Sequence, residues 1–234
     1  MKMQRKHARA YLAALCGMLG MAWGAHADWF YDFQTPPPPS FVTAGPTPAG
    51  PPSGTFSPTV DGGILRLFDT IPSAQGGARI GTGIETSVLF ADVRLTGTLN
   101  PAGTTANLVN LTRGNLSGNT YTAGIDFAAG VLKVVKVVSG PVKIVLSTDD
   151  SQGNQPPLTD LARSYFLQFD VVGNHLTARV FDVEGGTQLL VVDYTDTGDG
   201  GPPLESGYAG VSVVSSGGAV DGTFGPVRAT AILP

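Results

Sequence analysis

Two acidic segments carry the oxygen atoms that a hard cation such as calcium prefers as ligands. One segment runs from Asp149 to Asn154 with the sequence DDSQGN, and the other contains Asp193, Asp196 and Asp199. Neither has the spacing of an EF-hand loop, and Asp, Asn and Gly are also the residues that hairpin turns favour. We therefore interpret both segments as turns and assign no metal-ligating residue, with bound calcium as the alternative.

Histidine chemistry depends on His175, since the other two histidines lie within the first 27 residues. A Ser-His-acid site also needs a nucleophile, which a Gly-x-Ser-x-Gly turn usually presents. The chain has no such motif, and His175 directly follows the turn residues Gly173 and Asn174. We expect a solvated turn histidine here, and the sequence predicts no catalytic residue.

Residues 1–27 have the three parts of a secretory signal peptide. Basic side chains come first, Ala10 to Trp23 form an apolar run, and Ala25-His26-Ala27 supplies a small-x-small cleavage site. The apolar run is shorter than the roughly 20 residues that a membrane span needs. The sequence therefore predicts cleavage after Ala27, a secreted or periplasmic location, and no stable membrane insertion of the mature chain.

Removal of that segment would change the charge and the available chemistry. Four of the 14 basic residues and the one Cys lie within it, while all 18 acidic residues follow it, so residues 28–234 carry a formal net charge of −8. This acidic chain lacks the basic footprint of a nucleic-acid-binding protein, and we predict no nucleic-acid partner. Without Cys it cannot form disulfides or Cys/His zinc sites, so its stability must come from a core.

The composition favours short strands over helices. With 32 Gly and 18 Pro among 234 residues, a helical bundle is disfavoured, while a hydrophobic fraction of 42% can fill a core. Apolar runs recur between turn residues, and the clearest period-2 alternation is Tyr165 to Val171. The remaining runs that we interpret as strands are 28–33, 64–69, 87–99, 106–113, 121–127, 131–138, 141–147, 175–183, 187–193, 207–215 and 220–233. About a dozen strands at this spacing predict an antiparallel sandwich or barrel.

Two segments depart from this pattern. Residues 34–58 contain a run of four prolines and further isolated ones, which predicts an extended loop because proline cannot donate to a strand ladder. Residues 156–163 are the one segment with a helix-like turn. We expect both to belong to a single β-sandwich domain that spans residues 28–234.

Aromatic side chains could serve as platforms for a sugar ring, together with amides that hydrogen-bond its hydroxyl groups. The candidates are Trp29, Tyr31, Tyr121, Tyr194 and Tyr208. Aromatic residues on strands also fill cores, so the sequence leaves both interpretations open.

The order of several segments resembles a known family. These segments are Asp61 to Leu67 (DGGILRL), Phe90 to Asn100 (FADVRLTGTLN), Tyr165 to Ala178 (YFLQFDVVGNHLTA), and the closing segments 207–211 and 220–224. Together they resemble the bacterial secreted domains of the concanavalin A-like lectin/glucanase type, also called laminin G-like. The resemblance implies an all-β, antiparallel two-sheet jelly roll, and it covers nearly all of residues 28–233.

Two further expectations follow from the resemblance. The first and last strands of such domains commonly lie together, which would place Tyr31 and Phe33 near Val227 and Ala229. Laminin G-like domains also often hold calcium through Asp side chains and carbonyl groups, which keeps that alternative open for the two acidic segments.

The resemblance also bears on activity. Glucanases of this fold carry Glu-x-Asp-x-x-Glu on one strand, which supplies a nucleophile and an acid. Here the three glutamates, Glu85, Glu184 and Glu205, are far apart and none lies in that spacing. We therefore expect a non-enzymatic binding or surface-display protein, with a glycan or cell-surface polymer as its partner. The alternatives are a sugar hydrolase of a related jelly-roll family and a structural component of the cell envelope or extracellular matrix.

Overall fold

The computed structural model describes most of the chain after residue 27. The described residues are 28–35, 37–44, 56–69, 79–100, 108–115, 119–127, 129–138, 142–149, 158, 160, 162–215 and 221–233. The predicted signal peptide, residues 1–27, and the acidic residues 150–154 lie outside them. The described part contains strands and no helix, so the predicted all-β class is confirmed.

Fifteen strands make up the described part of the chain. Their bounds are β1 (Asp28–Tyr31), β2 (Phe41–Ala44), β3 (Phe56–Asp61), β4 (Ile64–Asp69), β5 (Arg79–Phe90), β6 (Val93–Asn100), β7 (Leu108–Gly114), β8 (Thr120–Asp126), β9 (Val131–Val138), β10 (Val142–Asp149), β11 (Tyr165–Val172), β12 (His175–Phe181), β13 (Gln188–Thr195), β14 (Gly207–Ser215) and β15 (Asp221–Ala231).

The strands form two antiparallel sheets that pack as a sandwich. The eight-stranded sheet has the order β13-β12-β11-β6-β15-β4-β3, and β1 also pairs with β15. The seven-stranded sheet has the order β10-β9-β8-β7-β14-β5-β2. Alternate side chains of the two sheets fill one core, in which Leu95 and Leu167 of the first sheet and Leu111 and Val211 of the second are fully buried. Burial of apolar surface on this scale is the main stabilising contribution to such a fold.

The hairpins predicted from the sequence are confirmed. β8, β9 and β10 form a three-stranded antiparallel meander. β11 and β12 are joined by a tight turn in which Gly173 has a φ of 57°, a left-handed conformation that glycine adopts without steric cost. The predicted pairing of the first and last strands is also confirmed, with Tyr31 opposite Val227 in the β1–β15 ladder. Phe33 lies just beyond the end of β1.

The run 87–99, interpreted as one strand, is instead two strands in opposite sheets. β5 ends at Phe90 in the seven-stranded sheet, and β6 begins at Val93 in the eight-stranded sheet. Ala91 and Asp92 form the bend between them. The buried positions change from even to odd numbers across this corner, from Phe90 to Val93. The exposed residues Leu89 and Ala91 are also apolar, so the run of apolar residues hides this change in the sequence.

The prediction of a loop over residues 34–58 was wrong in part. β2 lies within it, and β3 begins before its end and includes Pro58. Both strands are at sheet edges, where a proline does not remove a ladder hydrogen bond. In the helix-like segment 156–163, the described residues form turns, with the Arg163 N–H donating to the Asp160 carbonyl at 3.2 Å.

Candidate functional site

A cleft opens beside the edge strands of the two sheets, β2 and β3, and the segment between β1 and β2 forms part of it. Its volume is about 660 Å³. Sites for small ligands usually enclose about 300–1,000 Å³ and combine apolar walls with a few polar groups. The cleft therefore has the size of a ligand-binding site.

An aromatic cluster forms the floor of the cleft. Phe33 and Phe41 line it directly and are almost completely buried. Behind them, the ring of Tyr31 meets Phe33 edge-on at 4.6 Å between centroids and lies parallel to Phe41 at 6.0 Å. Trp29 stacks on Phe41 at 6.1 Å. Aromatic contacts of this kind hold the rings in fixed orientations, so the floor is rigid.

The backbone at Phe33 is strained. Its φ is 56°, and it is the one residue other than glycine with a positive φ in the described part of the chain. A bulky side chain in this region is a true outlier, and such strain persists only where surrounding contacts impose it. Here the reversal turns the chain out of β1 and brings the Phe33 ring under the cleft, while the next residue, Gln34, points to solvent.

A glycine makes room for the Gln34 amide. Gly63 has a φ of 83°, and a Cβ atom at this position would lie 3.3 Å from Cδ of Gln34 and would overlap its Nε2. Gly63 follows β3 in the tight Gly62-Gly63 turn, as the sequence Asp61-Gly62-Gly63 predicts. The turn therefore allows the Gln34 side chain to lie close against the backbone at the edge of the cleft.

Polar groups surround the mouth of the cleft, and proline rings form its sides. Gln34, Thr35 and Asp61 line the cleft and are exposed, so they offer an amide, a hydroxyl and a carboxylate to solvent. Pro37, Pro38, Pro39 and Pro58 supply apolar surface. This combination can hydrogen-bond the hydroxyl groups of a ligand and cover its apolar face.

Hydrogen bonds fix the segment that carries these groups. The Tyr31 hydroxyl donates to the Thr35 carbonyl, and the Phe41 N–H donates to the Pro38 carbonyl at 2.9 Å. Burial of Tyr31 raises the pKa of its hydroxyl, which therefore stays a donor over the physiological range. The Ser40 carbonyl accepts from both the N–H and the hydroxyl of Thr86 on β5, at 2.9 and 2.8 Å. The proline-rich side of the cleft is thus tied to the sheet.

A second polar site lies inside the sandwich. Arg113, Tyr121 and Lys136 are direct neighbours across β7, β8 and β9, and all three are fully buried. The Arg113 guanidinium donates to the carbonyls of Ala91, at 2.8 Å, and Leu204. These contacts attach the bend between β5 and β6 and the loop before β14 to the end of the core.

Asp196 is the anion of this network. Its Oδ2 accepts from Lys136 Nζ at 2.7 Å and from the Tyr121 hydroxyl, and its Oδ1 accepts from the Gly198 N–H at 2.9 Å. Burial raises the pKa of the Asp196 carboxyl, but the hydrogen bonds from Lys136 and Tyr121 outweigh it, so the pKa lies below its usual 3.8. Burial, with the hydrogen bond to Asp196, raises the pKa of Tyr121. Asp196 therefore neutralises the charge of Lys136, while Arg113 is held by backbone carbonyls.

The acidic residues predicted as turns or calcium ligands do not converge. Asp196 is buried against Lys136, Asp199 accepts from the Tyr194 hydroxyl, and the exposed Asp193 lies 3.1 Å from His175 Nε2. No group of three or more acidic or histidine side chains that could hold a metal occurs among the described residues. Residues 150–154 lie outside the described residues, so the structure bears on the second segment alone.

The candidate catalytic residues are also apart from one another. His175 begins β12 directly after the Gly173-Asn174 turn and is exposed, as predicted. Glu85 is buried in β5, where its carboxylate accepts from the Ser87 N–H at 2.8 Å. Glu184 and Glu205 are exposed in connections between strands. These side chains form no paired-carboxylate arrangement.

Three of the five aromatic candidates for sugar platforms lie in the core. Trp29, Tyr31 and Tyr121 are buried, and Tyr194 and Tyr208 are half-buried on different sheets. The candidates therefore do not form one exposed platform. Alternation could have indicated this for Trp29 and Tyr31, since both fall on the side of β1 that faces the core.

No pattern in the sequence indicates Gln34, Thr35 and Asp61 as a group. Gln34 and Thr35 follow β1, whereas Asp61 ends β3, about 26 residues further along the chain. The prolines at positions 37–39 belong to the predicted loop, and the structure shows that their rings line the cleft. These residues meet because β2 and β3 lie at the edges of the two sheets, and local sequence patterns do not determine which strands are edge strands.

Part of the seven-stranded sheet is also buried on its far side, away from the eight-stranded sheet. A second apolar cluster lies there, formed by Leu108, Val135, Val137 and Val214. Beside it, Asn110 Nδ2 donates to the Leu108 carbonyl at 3.2 Å and to Ser212 Oγ at 3.3 Å. Asn110 Oδ1 is buried and has no hydrogen-bond partner within the described part of the chain.

The sequence matches no protein-family model and no curated protein. Solved structures, in contrast, share its fold over nearly their whole length. The beta-glucanase of Bacillus licheniformis has a TM-score of 0.54 at 9% identity, covering 88% of this chain and 98% of that one. A carbohydrate-binding module, CBM66, from Bacillus subtilis has a TM-score of 0.52 at 15% identity, with 80% and 92% covered. The chain is a concanavalin A-like jelly roll.

The structure of a lectin-like protein agrees with this fold assignment. Arcelin-5, a lectin-like defence protein from Phaseolus vulgaris, has a TM-score of 0.52 at 11% identity, with 89% of this jelly roll and 99% of arcelin-5 covered. At sequence identities this low, structural similarity establishes the fold alone. The roles of individual residues are inferred from the geometry of this protein. Within the described part of the chain, no helix could serve as a membrane span.

Proposed function

We propose that this protein binds carbohydrate and that the cleft beside β2 and β3 is its sugar site. The observation that carries the proposal is the composition of the cleft: an aromatic floor, proline sides and three exposed polar groups within about 660 Å³. The fold supports it, since the similar structures include a carbohydrate-binding module and a lectin-like protein. Sugars present both hydroxyl groups and apolar C–H faces, and a site for them has to match both.

Each part of the cleft has a role in this proposal. The amide of Gln34 and the carboxylate of Asp61 hydrogen-bond sugar hydroxyls, with the carboxylate accepting and the amide able to donate and accept. The rings of Pro38 and Pro39 cover an apolar sugar face. Because the segment is fixed by the Thr86–Ser40 and Tyr31–Thr35 hydrogen bonds, little ordering is needed when a sugar binds.

The cleft favours binding without cleavage. Retaining and inverting glycosidases use two carboxyl groups on either side of the scissile bond. Among the described residues that line the cleft, Asp61 is the one with a carboxylate. We therefore propose a non-enzymatic role. The alternative is a sugar hydrolase of a related jelly-roll family, which turnover assays would reveal.

We also propose that the protein is exported and that residues 1–27 are removed. The support is the order of basic, apolar and small-x-small segments in the sequence, together with the acidic character of the remainder. Sequencing of the N-terminus of the protein from culture medium and periplasm should give Asp28 as the first residue. Recovery of the protein in the cytoplasm with Met1 intact would contradict export.

A glycan array tests the binding proposal. The purified protein is applied to neutral glucan, mannan and galactan oligosaccharides, and saturable binding to one class is expected. Absence of binding across the array would contradict the proposal and favour a structural role in the envelope or matrix. Chromogenic glycosides are tested in parallel, because their turnover would overturn the non-enzymatic role. A melting temperature that rises with calcium and falls with chelator would show a calcium site.

A further inference from the structure

The solvent side of the eight-stranded sheet carries an ordered row of side chains. Strand register places one side chain from each of six neighbouring strands in this row: Phe30, Arg228, Thr96, Gln168, Arg179 and Val191. Neighbouring strands are about 4.8 Å apart, so the row is about 24 Å long. We call this surface the arginine row.

A shared carboxylate holds two guanidinium groups beside the row. Asp170 lies in the adjacent row and accepts two hydrogen bonds from Arg94, at 2.8 and 3.0 Å. It also accepts from Gln168 Nε2 at 2.9 Å and from Arg179 Nη1 at 3.3 Å. Each guanidinium has five N–H donors, so both arginines keep further donors for a ligand while Asp170 fixes their positions.

A third guanidinium lies at one end of the row. Arg228 is exposed and its Cζ atom lies 5.1 Å from the ring centroid of Phe30, which is itself 53% exposed. The cation–π contact holds the guanidinium and the ring together at the surface. Phe30 and Val191 are the apolar ends of a row whose centre is polar.

The charge of this surface differs from that of the whole chain. Two guanidinium groups, those of Arg94 and Arg179, share the carboxylate of Asp170, and the Arg228 guanidinium lies two strands away, while the full sequence has a formal net charge of −4. The adjacent row ends in Asp28 and Asp193, so the three guanidinium groups lie between these two carboxylates at the edges of the surface. The acidic chain as a whole repels an anionic partner, whereas this surface offers guanidinium donors that such a partner can bind.

We propose that the arginine row binds an acidic polysaccharide whose chain lies across the strands. Guanidinium groups bind the carboxylates of uronic acid residues in the two-pronged geometry that suits them. Thr96 and Gln168, between the arginines, hydrogen-bond sugar hydroxyls, and Phe30 covers an apolar ring face. This site is distinct from the cleft and does not depend on the sugar-binding role proposed for it.

Binding of polygalacturonate oligomers to the purified protein tests the proposal, with the methyl-esterified oligomers as the uncharged probe. We expect the acid form to bind, the affinity to fall as salt is raised, and the ester to bind at least about tenfold more weakly. The double variant R179Q/R228Q should lose at least about tenfold in affinity. R163Q, which removes a guanidinium outside the row, should bind like the wild type, and so should Q34A in the cleft.

Three results would overturn the proposal. They are unchanged binding by R179Q/R228Q, equal binding of the ester, and equally tight binding of duplex DNA, which would show a general preference for polyanions. Arg228 has no role in the Asp170 network, so R228Q alone remains informative if the double variant folds poorly. It should weaken binding with an unchanged melting temperature, and an unchanged affinity in this variant would also count against the proposal.

Discussion

Lys136 Nζ lies 2.7 Å from Asp196 Oδ2, and both side chains are fully buried. Lys136 comes from β9 of the seven-stranded sheet, and Asp196 directly follows β13 of the eight-stranded sheet. The pair therefore bridges the two sheets at one end of the core. Lys136 also donates to the Gly201 carbonyl at 2.6 Å, which attaches the loop between β13 and β14.

Removing one partner of this pair should destabilise the protein strongly. Lys136→Met leaves the Asp196 carboxylate buried without its cation, at a cost of about 3–5 kcal/mol in the free energy of unfolding. Urea unfolding followed by circular dichroism measures the difference. Asp193→Asn, which changes an exposed carboxylate, is the matched control and should have little effect.

The double variant Lys136→Met/Asp196→Leu shows whether the effect comes from the pair. If the two groups stabilise each other, the double variant loses less stability than the sum of the two single variants. Strictly additive losses would mean that the ion pair as such contributes nothing.

The stability of the protein should also decrease in acid because of Asp196. Its pKa in the folded protein lies below 3.8, the usual value, so its ionised form contributes stability that is present above that pH. This contribution is lost as the pH falls from about 4 through the lowered native pKa. Urea midpoints measured across this range should decline less steeply for Asp196→Asn than for the wild type, although that variant is less stable at neutral pH. Parallel declines in the two proteins would refute the assignment.

Gly124 should tolerate no side chain. A Cβ atom there would lie 2.8 Å from the Asn110 Cα and would overlap the Val109 carbonyl oxygen. Because both atoms belong to the neighbouring strand β7, they cannot move away as a flexible side chain could. Gly124→Ala should cost about 3 kcal/mol or more, whereas Gly185→Ala, at an open turn with φ of 70°, should cost about 1 kcal/mol. Thermal or urea unfolding compares them, and similar losses would contradict the close approach of the strands.

Leu108 of the second apolar cluster should contribute as much to stability as a single leucine of the main core. Leu108 is 4% exposed on the far side of the seven-stranded sheet, so Leu108→Ala should cost about 2–5 kcal/mol. Leu89→Ala, at a residue that is 57% exposed, should change stability by about 0.5 kcal/mol or less. If Leu108→Ala costs no more than Leu89→Ala, this side of the sheet is open to solvent in solution.

Strands and hairpins could be predicted because they depend on local patterns. The alternation over Tyr165 to Val171 and the Gly173-Asn174 turn specify β11, β12 and the connection between them. The pairing of Tyr31 with Val227 followed from the family resemblance, since a contact between residues so far apart in sequence leaves no local pattern. The sequence does not reveal the bend at Ala91 and Asp92, because the exposed residues Leu89 and Ala91 are apolar and hide the change in which positions are buried.

The polar interior and the cleft could not be predicted, for a different reason. Alternation of polar and apolar residues predicts that charged residues such as Arg113 and Lys136 lie on the surface, yet both occupy core-facing positions of β7 and β9. Their partners, Asp196 for Lys136 and the Leu204 carbonyl for Arg113, come from a distant loop, so only the fold reveals these contacts. The cleft likewise needs β2 and β3 at the edges of different sheets.

The most direct test of sugar binding in the cleft is calorimetric titration with the neutral oligosaccharide that gives the strongest array signal. The proteins compared are the wild type, Gln34→Ala, Asp61→Asn and the control Gln188→Ala, which removes an exposed amide on β13. We predict saturable binding with equal affinity for the wild type and the control, and an affinity at least about tenfold lower for each cleft variant. Equal affinities for all four folded proteins would contradict a sugar site in this cleft.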